Sequence, residues 1–168
     1  MSSLAEPNPM LGNPRLIPAA IVAVCLGALG SALASQYWGG LDPCVLCMYQ
    51  RYAYVAALVL GVIGLVITPR GRALKALILL AAVAFASGAA IAVFHVGVEQ
   101  QWWRGTESCY APPVDLNASI DELRQQLLAK KPATCDQIPW SFAGISIAGY
   151  NAIASLVFAA GCVWAARR

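Results

Sequence analysis

The segment Cys44–Ile67 reads CVLCMYQRYAYVAALVLGVIGLVI. Two cysteines, two residues apart, open an apolar run whose one charge is Arg51. A thiol pair and a cation at the edge of a stretch able to enter lipid leave three readings. They are a metal site, a redox pair or an accident of composition.

Working outward, the charges are placed unevenly. Residues 16–41, 52–69, 76–98 and 137–166 contain no Asp, Glu, Lys or Arg. A spanning helix needs roughly 20 apolar residues. The windows predict an all-α membrane protein, a four-helix transmembrane bundle with spans at 16–37, 48–67, 74–97 and 141–164. The chain, 1–168, reads as one integral membrane domain with outer loops at 38–47 and 98–140. The second span is short and crosses only if Arg51 sits at the interface. With 60% hydrophobic and 11% charged residues, the chain is too apolar for disorder or an ordinary soluble domain. The net charge of +3 comes from scattered residues, so no nucleic-acid partner is expected. The competing reading of the first window is a signal peptide, with Arg15 ahead of it and Ala32-Leu33-Ala34 as a cleavage site. The run is longer than the usual core of about 7–15 residues, which favours a retained span.

Lys and Arg favour the cytoplasmic side. Arg15, then Arg70, Arg72 and Lys75, then Arg167 and Arg168 fall on one side of a four-span chain. Both termini are therefore expected in the cytoplasm, with the CVLC loop and the 98–140 loop outside. Tyr37, Trp38, Tyr49, Tyr52, Trp102, Trp103 and Trp140 flank the outer ends and read as an interfacial belt. Gly27, Ser31 and Ser35, and Gly144, Ala148 and Ala152, recur every fourth residue and read as close-packing faces. In the long loop, Ser119-Ile120-Asp121-Glu122 has the capping-box pattern. Ile120, Leu123, Leu127 and Leu128 then share one face, Lys130 and Lys131 suit the helix end, and Pro132 stops it. A short amphipathic helix is expected, lying on the membrane or packed on protein.

Of six cysteines, Cys25 and Cys162 lie within spans and read as small apolar residues. Cys44, Cys47, Cys109 and Cys135 all fall outside, where disulfides are permitted. Zinc is disfavoured because Cys109 and Cys135 are 26 positions apart, unlike a ribbon's second half-site. Met48, not His, follows Cys47, which excludes c-type haem at this motif. No metal is expected. In the redox reading, Cys47 at a helix start gains thiolate character from the dipole. Arg51, four residues on, shares its face and suits a thiolate or an anionic ligand oxygen. The bland role for Arg51 is a snorkelling interfacial arginine. Two redox pairs at a membrane need an electron acceptor, and a membrane-dissolved quinone entering near Cys47 and Arg51 fits.

CVLCMYQR after one span, two further spans, HVGVEQQWW before Cys109, and PATCDQIPWSFAGISIAGYN together resemble the bacterial disulfide bond formation protein B (DsbB) family, from about Leu16 to Cys162. The resemblance implies an inner-membrane enzyme, a quinone-dependent protein-thiol oxidoreductase with its active cysteines on the periplasmic side. Its partners would be membrane lipid, a quinone (ubiquinone or menaquinone) and a periplasmic DsbA-like thiol oxidase. Reduced partner would attack Cys109 and leave oxidised. Cys135 would travel to Cys44 and free Cys47, which engages the quinone ring before Cys44 resolves the adduct. Arg51 matches the family's quinone-site arginine, and His95 is a candidate second quinone contact. The stretch ASIDELRQQLLAKK carries no recognisable match to a partner-docking surface. The rival readings are a zinc-binding or redox-sensing membrane protein and a quinone reductase of vitamin K epoxide reductase type.

Overall fold

The computed structural model describes residues 13–110, 119–128 and 133–167. Four long helices form the bundle: α1 Leu16–Tyr37, α2 Val45–Ile67, α3 Arg72–Glu99 and α5 Ile147–Arg167. All four are long and apolar enough to cross a membrane. The chain is thus an all-α, multi-pass membrane protein. α3 is central, packed along α2 and α5, while α1 packs mainly on α2.

The interior is made of small residues. Ala57, Ala81, Ala89, Ala92 and Cys25 are buried around Phe85, Tyr54 and Ile78. Large aliphatics such as Leu26, Val59, Val66, Leu80, Val83 and Val157 point outward. That inversion suits lipid, where helices associate by close backbone approach rather than by apolar burial.

The close approaches lie on α2. A Cβ on Gly61 would stand 2.9 Å from Val22, and one on Gly64 would stand 2.9 Å from Pro18. The α1 face expected from Gly27 and Ser31 is exposed instead, with nothing within 4 Å of a Cβ at Gly27. Ala148 and Ala152 are buried as expected, but Gly144 belongs to a turn.

That turn changes the start of the last helix. Ser141–Phe142 (β1) pairs antiparallel with Ile145–Ser146 (β2) around Ala143-Gly144. Both turn residues have positive φ, 50° and 78°, the geometry of a tight hairpin turn. α5 therefore begins at Ile147, although the charge-free window reaches back to 137. α2 begins three residues before the expected 48, because Cys44 caps it.

α4, Ile120–Leu128, carries the expected capping box. The Ser119 amide and hydroxyl donate to Glu122 Oε2 at 2.9 and 2.8 Å, and the Glu122 amide faces Ser119 Oγ at 3.4 Å. Ile120 and Leu128 are exposed. Lys130, Lys131 and Pro132, and the side chains of Leu123 and Leu127, lie outside the described residues.

Gly61→Leu is expected to destabilise the bundle by about 1–3 kcal/mol through overpacking against α1. Gly27→Leu is expected to change little. Unfolding in detergent, followed by circular dichroism, checks both.

Candidate functional site

The site is built at the head of α2. The first turn of a helix leaves amide N–H groups without intrahelical partners. Cys44 is the N-cap, in extended conformation, and its sulfur accepts from the Cys47 amide at 3.4 Å. The Leu46 amide donates to the sulfur of Cys135. One helix end therefore holds a sulfur from each cysteine pair.

The Cys44 and Cys47 sulfurs are 3.1 Å apart. Cys44 is buried and Cys47 is half-buried. His95 comes in from α3, with Nε2 3.5 Å from the Cys44 sulfur. Hydrogen bonding with Cys47, opposed by burial and reinforced by His95 and the Cys47 amide, pulls the Cys44 thiol down to about 4. The thiolate favoured by this geometry is thus Cys44, one turn before the expected Cys47. Burial pushes the Cys135 thiol up, and its hydrogen bond with Cys109 adds to that.

The second pair lies on the first. Cys44, Cys109 and Cys135 are buried with Leu46 and Val98 in one cluster. The Cys135 amide donates to the Cys109 carbonyl at 3.0 Å. The Cys135 sulfur also hydrogen-bonds with both Cys109 and Cys44. Cys135 Sγ, Cys44 Sγ and His95 Nε2 all lie within 4.8 Å of one another. Sequence reasoning expected Cys135 to travel from Cys109 to Cys44, but here it touches both.

Cys109, expected to meet the partner, is 1% exposed. It sits in a single 3₁₀ turn, Glu107–Cys109, with Thr106 Oγ1 3.4 Å from its sulfur. Gly105 lies so close that a Cβ there would fall 2.9 Å from that sulfur. Trp103 folds back over Gly97, stacks on Phe94 and donates to the Phe94 carbonyl at 3.0 Å. In this arrangement Cys109 is closed to an incoming thiol.

Arg51 faces α1. Its Nη1 donates to Gln36 Oε1 at 2.6 Å and its Nη2 to the Ala32 carbonyl at 3.1 Å. It is fixed to the C-terminal part of α1, where a cation suits the helix dipole, rather than snorkelling freely. His95 reaches from α3 to the head of α2, and both of its ring nitrogens have neighbours. Nδ1 is 3.0 Å from Gln50 Nε2, and Nε2 is also 3.9 Å from Glu99 Oε1. A quinone contact by His95 requires one of these neighbours to yield.

Sequence reasoning missed the polar residues behind His95. Asn151 Nδ2 donates to Gln50 Oε1 at 2.5 Å, Ser155 Oγ donates to Asn151 Oδ1 at 3.3 Å, and Tyr54 OH meets Ser155 Oγ at 3.0 Å. Ser146 Oγ donates to Glu99 Oε2 at 2.5 Å. The available signal was uncharged polar residues inside apolar runs, which serve as glue between membrane helices.

Four apolar helices with two cysteine pairs clustered at one end define a membrane protein of thiol–disulfide exchange. A family model described as "Disulfide bond formation protein DsbB" matches residues 14–165. The chain is 30% identical over 142 residues to disulfide bond formation protein B of Marinobacter nauticus, covering 83% of each chain. It is 33% identical over 153 residues to the Aromatoleum aromaticum protein of that name, covering 84% of this chain and 85% of that one. To the Xanthomonas campestris protein of that name it is 32% identical over 125 residues, 73% of each chain. No solved structure matches. The chain belongs to the DsbB family of membrane oxidoreductases that act in disulfide bond formation.

In the reduced protein, alkylation of Cys44 is expected to be nearly independent of pH between 6 and 8. Its thiol is already ionised above about 4, whereas an ordinary cysteine gains reactivity through this range. Iodoacetamide labelling followed by peptide mass spectrometry checks it.

Proposed function

We propose that this chain reoxidises a soluble DsbA-like thiol oxidase on the periplasmic side of the bacterial inner membrane and passes the electrons to a membrane quinone. The observation that carries this reading is the approach of the Cys135 sulfur to within 4.8 Å of the Cys44 sulfur. It makes two distant cysteine pairs one exchange path.

In the working cycle both pairs start as disulfides. A thiolate of the reduced partner attacks Cys109, a mixed disulfide forms, and Cys135 leaves. The partner's second thiol then attacks its own half of the mixed disulfide and departs oxidised, leaving Cys109 and Cys135 reduced. Cys135 attacks Cys44, which breaks the Cys44–Cys47 bond and leaves Cys47 reduced. Cys109 closes on Cys135 and releases Cys44, so the two electrons now rest on Cys44 and Cys47. The amides of Leu46 and Cys47 face the exchanging sulfurs throughout and favour their charged forms.

The quinone would be held by Arg51 with Cys47, whose half-buried thiol lies on the same α2 face. When bound, it accepts two electrons and two protons from the reduced pair. The half-exposed thiol and the anchored guanidinium suit an apolar ligand with polar oxygens. Energetics favour such an acceptor. A DsbA-type oxidase stands at about −120 mV, and each 30 mV uphill costs about 1.4 kcal/mol for two electrons. Ordinary protein disulfides are too weakly oxidising to regenerate it. The charge distribution supports cytoplasmic termini, with the cysteine cluster outside.

A zinc-holding reading draws on the same donors, Cys44, His95 and Cys135. It would hold the Cys44 and Cys135 sulfurs as fixed ligands, whereas the relay needs both free to exchange.

Anaerobic quinone reduction driven by a reduced DsbA-like donor tests the proposal. Cys47→Ser is expected to abolish quinone reduction while the Cys109–Cys135 disulfide still forms. Equal turnover in variant and wild type would refute the assignment. For Arg51→Ala the expected result is a raised apparent quinone KM in a protein that still folds. An unchanged KM would reduce Arg51 to a tie between α1 and α2.

A further inference from the structure

We propose that the amide pair Gln50–Asn151, drawn from α2 and α5, fixes the tautomer of His95 so that its Nε2–H is aimed at the Cys44 sulfur. The role goes beyond the relay above, and it rests on that reading only for its consequence in turnover.

Hydrogen-bond polarity runs one way from Ser155 to His95. Ser155 Oγ donates to Asn151 Oδ1, which turns the Asn151 amide nitrogen toward Gln50. That nitrogen donates to Gln50 Oε1, which turns Gln50 Nε2 toward His95 Nδ1 at 3.0 Å. An amide NH₂ only donates, so Nδ1 must be the acceptor. A neutral imidazole then carries its proton on Nε2.

The other side of the ring agrees. Nε2 stands 3.5 Å from the Cys44 sulfur and 3.9 Å from Glu99 Oε1, and the ring also hydrogen-bonds to the Cys135 main chain, where a carbonyl only accepts. The titratable and charged groups facing the ring are therefore Cys44, Glu99 and Cys135, with Cys47 behind Cys44. β2 presents the uncharged Ser146 and α5 the uncharged Asn151, and Arg51 is engaged on α1. No cation among the described residues competes for the Cys44 sulfur.

The chain of donors is buried. Gln50, His95 and Ser155 are at most 6% exposed. A buried polar group left unsatisfied is costly, so the links hold one another in one polarity. Gln50 and Asn151 act through His95 and are positioning residues. His95 donates to Cys44 when that sulfur carries charge, either as the leaving group of one exchange or as the nucleophile of the next.

The chain contains one histidine, so imidazole ¹⁵N NMR reads His95 alone. In anaerobically reduced wild type in detergent, a pyridine-type Nδ1 and a pyrrole-type Nε2 are expected. In Gln50→Met and Asn151→Leu the two tautomers should mix. The pH midpoint of Cys44 alkylation should rise by about one unit, the ten-fold change in ionisation expected for one hydrogen bond to a charged group. Gln50→Asn in place of Met should not restore the wild-type midpoint, and Gln50→Glu, whose carboxylate only accepts, should draw the proton to Nδ1. A protonated Nδ1 and bare Nε2 in wild type would overturn the proposal without any variant. So would an unchanged tautomer in a folded Gln50→Met protein. Neither readout involves a quinone or a partner protein, so loss of the relay reading would leave both intact.

Discussion

The unpaired amides at the head of α2 are the constraint on which the site depends. A helix that begins at a membrane surface must satisfy its first N–H groups, and lipid offers no water for the task. Here sulfur serves. Cys44 caps its own helix through the Cys47 amide, and Cys135 takes the Leu46 amide. The same contacts that complete the helix bring together two cysteines 91 positions apart. Structure and exchange chemistry share one set of donors, so a change that frays this helix end should also uncouple the two pairs.

The bundle below supplies rigidity and a polar back wall. Its small-residue interior brings α2, α3 and α5 close enough for Gln50, His95 and Asn151 to meet. α1 takes part differently. It contacts α2 through Gly61 and Gly64 and holds the Arg51 guanidinium through Gln36 and Ala32. Arg51 thus faces α1, while His95 meets Cys44 and Gln50 from α3.

Much of this was legible in the sequence. Charge-free windows located the four helices because charge is excluded from hydrocarbon whatever the packing. The capping box placed α4 because it is a local pattern. The start of α5 was not legible, since Trp140-Ser141-Phe142 is uncharged and apolar enough to pass for helix, while the Ala143-Gly144 turn is set by backbone geometry. The packing face on α1 was misread because a small-residue stripe does not reveal whether a neighbour covers it. Gln50 escaped notice beside Arg51, and its partner Asn151 is 101 positions away. The four cysteines were found by spacing and side. Their contact, which removes the expected journey of Cys135, depends on tertiary packing alone.

Cross-linking tests the account most directly. In the double variant Cys47→Ser, Cys109→Ser, the surviving thiols at this end of the bundle are Cys44 and Cys135. Mild oxidation in detergent, read by mass spectrometry of non-reduced peptides, is expected to join them rapidly and nearly completely. If both are instead recovered as free thiols, with Cys44 still in a folded helix cap, the two pairs do not share one helix end and the account fails.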